Sequence, residues 1–270
     1  GYGNPLQLTA VDSIVECQAM ENSFYISGKT VYVHVSGGEP TEDTRIVTST
    51  ASSAIFNYRA YAEGCLFING CNVTEDNAGD FIGVRSKFGY GISRNGLALE
   101  RDRGNVAVLW ECVAMHNGLD GFNYHSTIPA SLNTADVIEV DCLAYENGYA
   151  GGGNNNGSTM HDGGRIIRIN GIYNRNEDRN IHDINDGTEV WMLGCKAGEA
   201  RNNSTSGFDS ANFLIGRSSD NTKAWLESCE SLGGSSSDFA CYGSAVMKVK
   251  NCNIGVFTVL DDDTGNGTIE

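Results

Sequence analysis

Apolar positions along this chain come in short bursts and not in helical stripes. No window of about 11 to 18 residues carries a clean 3.6-residue apolar period. Strand-like alternation appears instead, as in Val31-Tyr-Val-His-Val35 and Ala245-Val-Met-Lys-Val249. Five segments share one design, a β-branched or aromatic run that ends in cysteine. They are Ala107-Val-Leu-Trp-Glu-Cys112, Ile138-Glu-Val-Asp-Cys142, Val190-Trp-Met-Leu-Gly-Cys195, Ala224-Trp-Leu-Glu-Ser-Cys229 and Met247-Lys-Val-Lys-Asn-Cys252. Ser13-Ile-Val-Glu-Cys17 and Tyr61-Ala-Glu-Gly-Cys65 read as earlier copies. Arg165-Ile-Ile-Arg-Ile-Asn170 fills the same slot, with Gly171 where the cysteine would stand.

The intervals give the unit. From Cys112 the steps are 30 residues to Cys142, 29 to Gly171, 24 to Cys195, 34 to Cys229 and 23 to Cys252. Cys17 to Cys65 and Cys65 to Cys112 are 48 and 47, two units each. A basic unit of about 22 to 24 residues with loop insertions fits them all. The residues after the cysteine repeat too: Cys112-Val-Ala-Met-His-Asn-Gly118 matches Cys142-Leu-Ala-Tyr-Glu-Asn-Gly148, and Asp120-Gly-Phe122 recurs loosely as Ser206-Gly-Phe208.

Short strands, Gly/Asn turns and no helix predict an all-β stacked solenoid, a single-stranded right-handed parallel β-helix of roughly ten coils. A propeller would need four strands and about 40 residues per unit. Residues 1–60 are less regular and are expected to form opening coils or a cap. Residues 61–255 are the body carrying the site, and 256–270 a C-terminal tail. Cysteine at a fixed register predicts an internal column of small side chains, with a disulfide set as the alternative. The nine cysteines are an odd number, so at least one is free or pairs between chains. Asn117 and Asn147 are expected to ladder through their amides.

Composition narrows the function classes. The 270 residues carry a net charge of −16. That argues against nucleic acid, whose phosphates need clustered Lys and Arg, and against an anionic membrane surface. It leaves an acidic polysaccharide open, because Arg165, Arg168, Arg175 and Arg179 fall within fifteen residues. No run approaches the ~18 apolar residues of a membrane span. No charged leader precedes an apolar run, and the opening Gly1 is expected of a processed product. There is no CxxC, GxGxxG, P-loop, HExxH or GxSxG motif.

The pattern Cys-x-Ala-x-x-Asn-Gly followed by Asp120-Gly-Phe122 resembles right-handed parallel β-helix proteins of the pectate-lyase-like superfamily. The resemblance is best over residues 100–255. Many such proteins are polysaccharide lyases, glycoside hydrolases or epimerases, and others are phage tailspike depolymerases, usually homotrimers. It therefore implies a polysaccharide substrate, an extracellular or virion-associated setting and a homotrimer. The alternative is a non-catalytic glycan-binding or structural β-helix, such as a tail-fibre or adhesin segment.

Three of the five histidines lie in polar surroundings: Asp120-Gly-Phe-Asn-Tyr-His125, Ser158-Thr-Met-His-Asp162 and Asn180-Ile-His-Asp-Ile-Asn-Asp186. His125 falls 13 residues after Cys112. His161 falls 19 after Cys142, or near 13 once Gly151–Asn156 is allowed as an insertion of about six. His182 falls 11 to 12 after the Gly171 slot. The three rings are thus expected near one column on consecutive coils ~4.8 Å apart. His125, His161, Asp162, His182 and Asp183 are the catalytic candidates, imidazoles acting as acid or base with carboxylates fixing their tautomers. Asp120, Tyr124, Tyr149, Arg165, Arg168 and Asp209 are the substrate-binding candidates, the arginines as cations for a uronate. A hydrolase would instead use two of Asp120, Asp162, Asp183 and Asp209, one or two coils apart. Zinc on three histidines and an aspartate fits poorly with ~5 Å column spacing, and calcium on Asp and Asn oxygens stays open. His34 and His116 are assigned to structure, and Trp191 to the core.

Overall fold

A computed structural model describes residues 8–28, 30–36, 54–56, 59–73, 80–101, 106–126, 136–150, 155–201, 210–217, 220–253, 255–260 and 268–269. The chain divides into two compact units, residues 1–46 and 47–270. The smaller holds a helix, Ile14–Ala19, and a sheet of Thr9–Ala10, Ser23–Ser27 and Thr30–His34. The first two strands pair in parallel and the last two form an antiparallel hairpin. The Cys17 segment is therefore no copy of the solenoid unit. Ser13 caps the helix, its hydroxyl accepting from the Glu16 N–H at 3.1 Å, and Glu16 answers by accepting from the Asp12 N–H at 2.9 Å. That Ser-x-x-Glu capping, with Glu16 holding the N–H one residue ahead of the cap, wins over the resemblance to the cysteine motif.

The larger unit is a parallel β-helix, and the described residues make nine coils of it, in keeping with the roughly ten expected. Sheet I has nine strands, from Ala54–Phe56 to Phe257–Leu260. Sheet II has nine, from Ala60–Glu63 to Thr268–Ile269, and sheet III has seven, from Leu66–Ile68 to Glu230–Ser231. Within each sheet every strand pairs in parallel with the strand of the next coil. The segment from 256, expected as a tail, carries the last strands of sheets I and II.

The repeat marks a corner. The residue before each slot has a left-handed backbone: Gly64, Arg85, Glu111, Asp141, Asn170, Gly194, Ser228 and Asn251. The chain turns there from sheet II into sheet III. The next residue points into the core column, Cys112, Cys142, Cys195 and Cys229 being buried. Ser86, also buried, fills the slot between Cys65 and Cys112, which makes that gap two units. Gly171 is small for a specific reason. A Cβ there would lie 2.5 Å from the Tyr173 hydroxyl, whereas the coils on either side place Ala144 and Ala197 opposite Tyr173. One large ring and one glycine replace the usual cysteine and alanine, keeping the core volume.

The asparagine ladder is present and longer than expected. Asn117 Nδ2 donates to Asn147 Oδ1, Asn147 to Asn176, Asn176 to Asn180 and Asn180 to Asn212, each at 2.8 Å. Phe213 and Phe239 stack beside it, ring centroids 4.6 Å apart. All nine cysteines are free thiols. Trp191 corrects its assignment to the core: it is 37% exposed on the outside of sheet II, stacked on Trp225 at 5.0 Å. No described helix is long and apolar enough to cross a membrane.

Candidate functional site

Strand alternation sorts the candidates to two sides of sheet I. Its strands Phe122–Ser126, Asn156–Met160 and Arg179–Asp183 lie on successive coils. Phe122, Tyr124, Met160 and Ile181 belong to the core, so Asn123, His125, Thr159 and His182 stand on the outer side. His161 follows Met160 directly and sits over His125. Their rings stack at 4.1 Å, 9° from parallel. The His161 N–H donates to the Tyr124 carbonyl at 2.9 Å, holding the two coils in register.

Asp162 takes the corner next to His161 with φ 60°. That places its carboxylate 3.1 Å from His125 Nδ1. When Nδ1 carries the proton it donates to Asp162, and Nε2 then holds the lone pair. His125 and Asp162 are 38% and 40% exposed, so this pair is open to solvent. His161 beneath it is different. Burial, then the neighbouring His125, push its pKa down to about 4, against the opposing pull of Asp162 and a hydrogen bond with the Asn185 side chain. It is neutral near pH 7, and its Nε2 is buried without a partner.

His182 lies on the coil expected but not in the column. Ser158 pairs with Ile181, so His182 stands opposite Thr159 and Asn123, two places short of His161. Ile184 takes the place over His161. His182 is buried and held well below its ordinary pKa by desolvation and then by Arg179. Its Nε2, Thr159 Oγ1 and Asn123 Oδ1 are all buried without a partner. Native interiors hold few such atoms, and here three fall in one register across three coils. Beside them Asp120 accepts from Asn123 Nδ2 and from the Asn156 N–H. Burial raises its pKa to about 6 against those two hydrogen bonds.

Three candidates point the other way. Asp183, Arg168 and Tyr124 lie wholly inside the solenoid and so cannot touch a glycan. Arg168 donates from Nη1 and Nη2 to the two Asp183 oxygens at 2.6 and 2.8 Å, and from Nη2 to Ser158 Oγ at 2.9 Å. Ser158 and Tyr124 donate to Glu139 Oε1 at 2.8 and 2.7 Å, and Tyr173 to Oε2. Burial works against the Arg168 charge, but Asp183 more than offsets it and holds the pKa up. Burial, then Glu139, raise both tyrosines well above their ordinary value. This is a satisfied interior network, and its cation belongs to Asp183.

The remaining candidates disperse. Arg165 pairs with Asp136 at 2.6 and 2.7 Å on sheet II. Tyr149 donates to the Gly91 carbonyl at 3.1 Å at the corner between sheets III and I, where burial raises its pKa to about 12. Asp209 and Gly151–Asn154 lie outside the described residues. Among the described residues no group of three His, Cys, Asp or Glu is placed to hold a metal ion. Sequence reasoning missed Asn123, Thr159 and Arg217, and named Arg179 only within the arginine cluster. Exposed Arg217 is the cation felt by both His161 and His182. A better anchor was available in Gly157. A Cβ there would lie 2.6 Å from the Asn176 amide, as one at Gly121 would lie 2.8 Å from that of Asn147. Counting from these glycines puts His125 and His161 four residues on, and His182 only two beyond the equivalent Asn180.

An open cleft of about 760 Å³ lies elsewhere, at the corner between sheets III and I, lined by Arg175, Glu199, Arg201, Ser210 and Ser236. Its two arginines are already engaged, Arg175 with Glu199 at 2.6 Å and Arg201 with Glu177 at 3.0 Å. Size favours that cleft, but the open His125–Asp162 pair stacked on His161 favours the histidine face. Compared with known proteins, the chain matches no family model, no curated protein and no solved structure.

Proposed function

We propose that this protein is a polysaccharide depolymerase of the pectate-lyase-like kind, acting on an extracellular or capsular acidic glycan by elimination. The observation that carries the reading is the open His125–Asp162 pair stacked on a neutral His161. His125 Nε2 takes the proton beside the uronate carboxylate. Asp162 fixes the ring and stabilises the imidazolium that forms. The bond to the leaving sugar oxygen breaks, a double bond forms, and that oxygen picks up a proton. His161, neutral and close, adds no second positive charge against the imidazolium. Arg217 replaces Arg165 and Arg168 as the cation facing the substrate carboxylate.

Elimination is favoured over hydrolysis because, of the candidate carboxylates Asp120 and Asp162 described on this face, one is open. Asp162 is exposed, while Asp120 is 5% exposed and bonded to Asn123 and Asn156. A virion-associated homotrimer belongs to the same proposal: apolar Trp110, Ile167, Trp191 and Leu193 stand exposed outside sheet II and would be covered by assembly.

The second reading, a non-catalytic glycan-binding or structural β-helix, is favoured by the position of the large cleft away from the histidines. A panel of capsular and algal polysaccharides separates the two, followed through ultraviolet absorbance of the new double bond and through reducing ends. Both signals, lost in His125→Ala with folding intact, are the expected result. Reducing ends alone mean hydrolysis. Neither signal from folded protein overturns the enzyme reading.

A further inference from the structure

We propose that Cys229 and Cys252 are a thiol pair that closes to a disulfide by exchange with a small-molecule disulfide, clamping the last coils of the β-helix together. The register sets the two side by side. Glu227 pairs with Lys250 before them and Glu230 bridges Asn253 after them, so each cysteine occupies the same slot on adjoining coils. The Asn253 N–H donates to the Cys229 carbonyl at 2.9 Å, fixing that alignment. Neighbouring strands lie ~4.8 Å apart, inside the ~4.4–6.8 Å between Cα atoms that a disulfide spans. The two thiols are hydrogen-bonding neighbours, and Cys229 stands in the same relation to Cys195.

Position in the column singles out this pair. Cys112 and Cys142 also occupy adjoining slots, but both are fully buried. Gly171 then interrupts the column, so Cys195 meets no thiol on its N-terminal side. Cys65 is exposed, but the slot above it holds Ser86. Cys252 is half-buried and so within reach of a reagent, and its partner Cys229 is close behind it. The hydrogen bond from Cys229 also lowers the Cys252 pKa to about 6, which favours the thiolate that exchange requires.

The chemistry balances without further components. Cys252 thiolate attacks one sulfur of the small disulfide and expels a thiolate. Cys229, losing its proton, attacks Cys252 Sγ of the mixed disulfide and expels the second half. Two protein thiols are oxidised, one disulfide is reduced, and the two thiol protons end on the two released thiols. The bridge ties the strand Val246–Lys250 to Lys223–Glu227.

The test is incubation of the full folded chain with glutathione disulfide at neutral pH, then alkylation and a non-reducing peptide map. The expected product is a peptide pair joined through Cys229 and Cys252, with Cys112 and Cys142 protected. Hydrogen exchange in Val246–Lys250 should slow by about tenfold in the oxidised form and recover on reduction. In Cys252→Ser, Cys229 should stay reduced. The proposal falls if Cys252 stops at the glutathione adduct, if Cys229 links to Cys195 instead, or if only Cys65 reacts.

Discussion

The outer faces of sheets I and II are made by the same coils, yet they solve opposite problems. On sheet II many outward positions stack on their like or their complement. Trp191 lies on Trp225, and Arg165 lies on Asp136. Val108, Ile138 and Ile167 continue the tryptophan row in register. On sheet I the outward row Asn123, Thr159, His182 aligns three polar groups that do not pair with one another. Cross-strand satisfaction is the unit of sheet stability. The sheet I row forgoes it, and the exposed His125–Asp162 pair stands beside it.

This contrast can be broken from several sides. The largest expected effect lies between the two faces, inside the solenoid. Arg168→Leu leaves Asp183 and Glu139 buried without their cation and should cost about 3–5 kcal/mol in denaturant unfolding. A loss under about 1 kcal/mol would mean the network is not buried as described.

Acid should act next, through the sheet I face. The unfolded chain protonates His161 near pH 6.5, whereas the folded ring resists until about 4. Stability is complete above 6.5 and is lost as pH falls across that window, by roughly 2 kcal/mol given the partial exposure of the ring. Asp120 acts with the opposite sign, its raised pKa favouring the folded state as pH falls from about 6. His161→Gln should therefore flatten the acid limb of a stability-versus-pH curve, and Asp120→Asn should steepen it. An unchanged limb in His161→Gln would show that the ring is more open than its position indicates.

The smallest effects compare the two faces directly. Trp191→Ala should cost about 1 kcal/mol of thermal stability by removing the indole stack, with no effect on turnover. Thr159→Val removes a hydroxyl that has no partner, and should leave stability unchanged or raise it by up to about 1 kcal/mol. A destabilised Thr159→Val would mean that the sheet I row is satisfied after all.

Much of the coil plan was legible in the sequence, because one slot carries a steric demand. The cysteine register located the corners, anticipated Gly171 as a substitute and counted two units between Cys65 and Cys112. It failed where local chemistry was stronger, as in the capped helix at Ser13. The site was legible in part. His125 and His161 stack as their spacing required, but His182 stands two residues short of the column, because it lies 11 residues after its slot where His125 lies 13 after its own, with the corner between them unchanged in length. Side was harder than register. In Arg165-Ile-Ile-Arg168 the two arginines are three apart and must face opposite ways, yet charge alone drew both to the surface. Arg168 goes inside because Asp183, Glu139 and Ser158 wait there from three other strands, a convergence that no single segment reveals.

The most direct test of the sheet I face is nuclear magnetic resonance of the five imidazoles during titration with a mixture of short oligouronates. His116, buried beside Glu146 at the corner of sheet III, and His34, in the smaller unit, serve as references. The account predicts that the His125 and His161 signals shift together and saturate while His116 and His34 stay still. Binding that moves only His116, or that leaves every imidazole unchanged, would place the glycan elsewhere and contradict it.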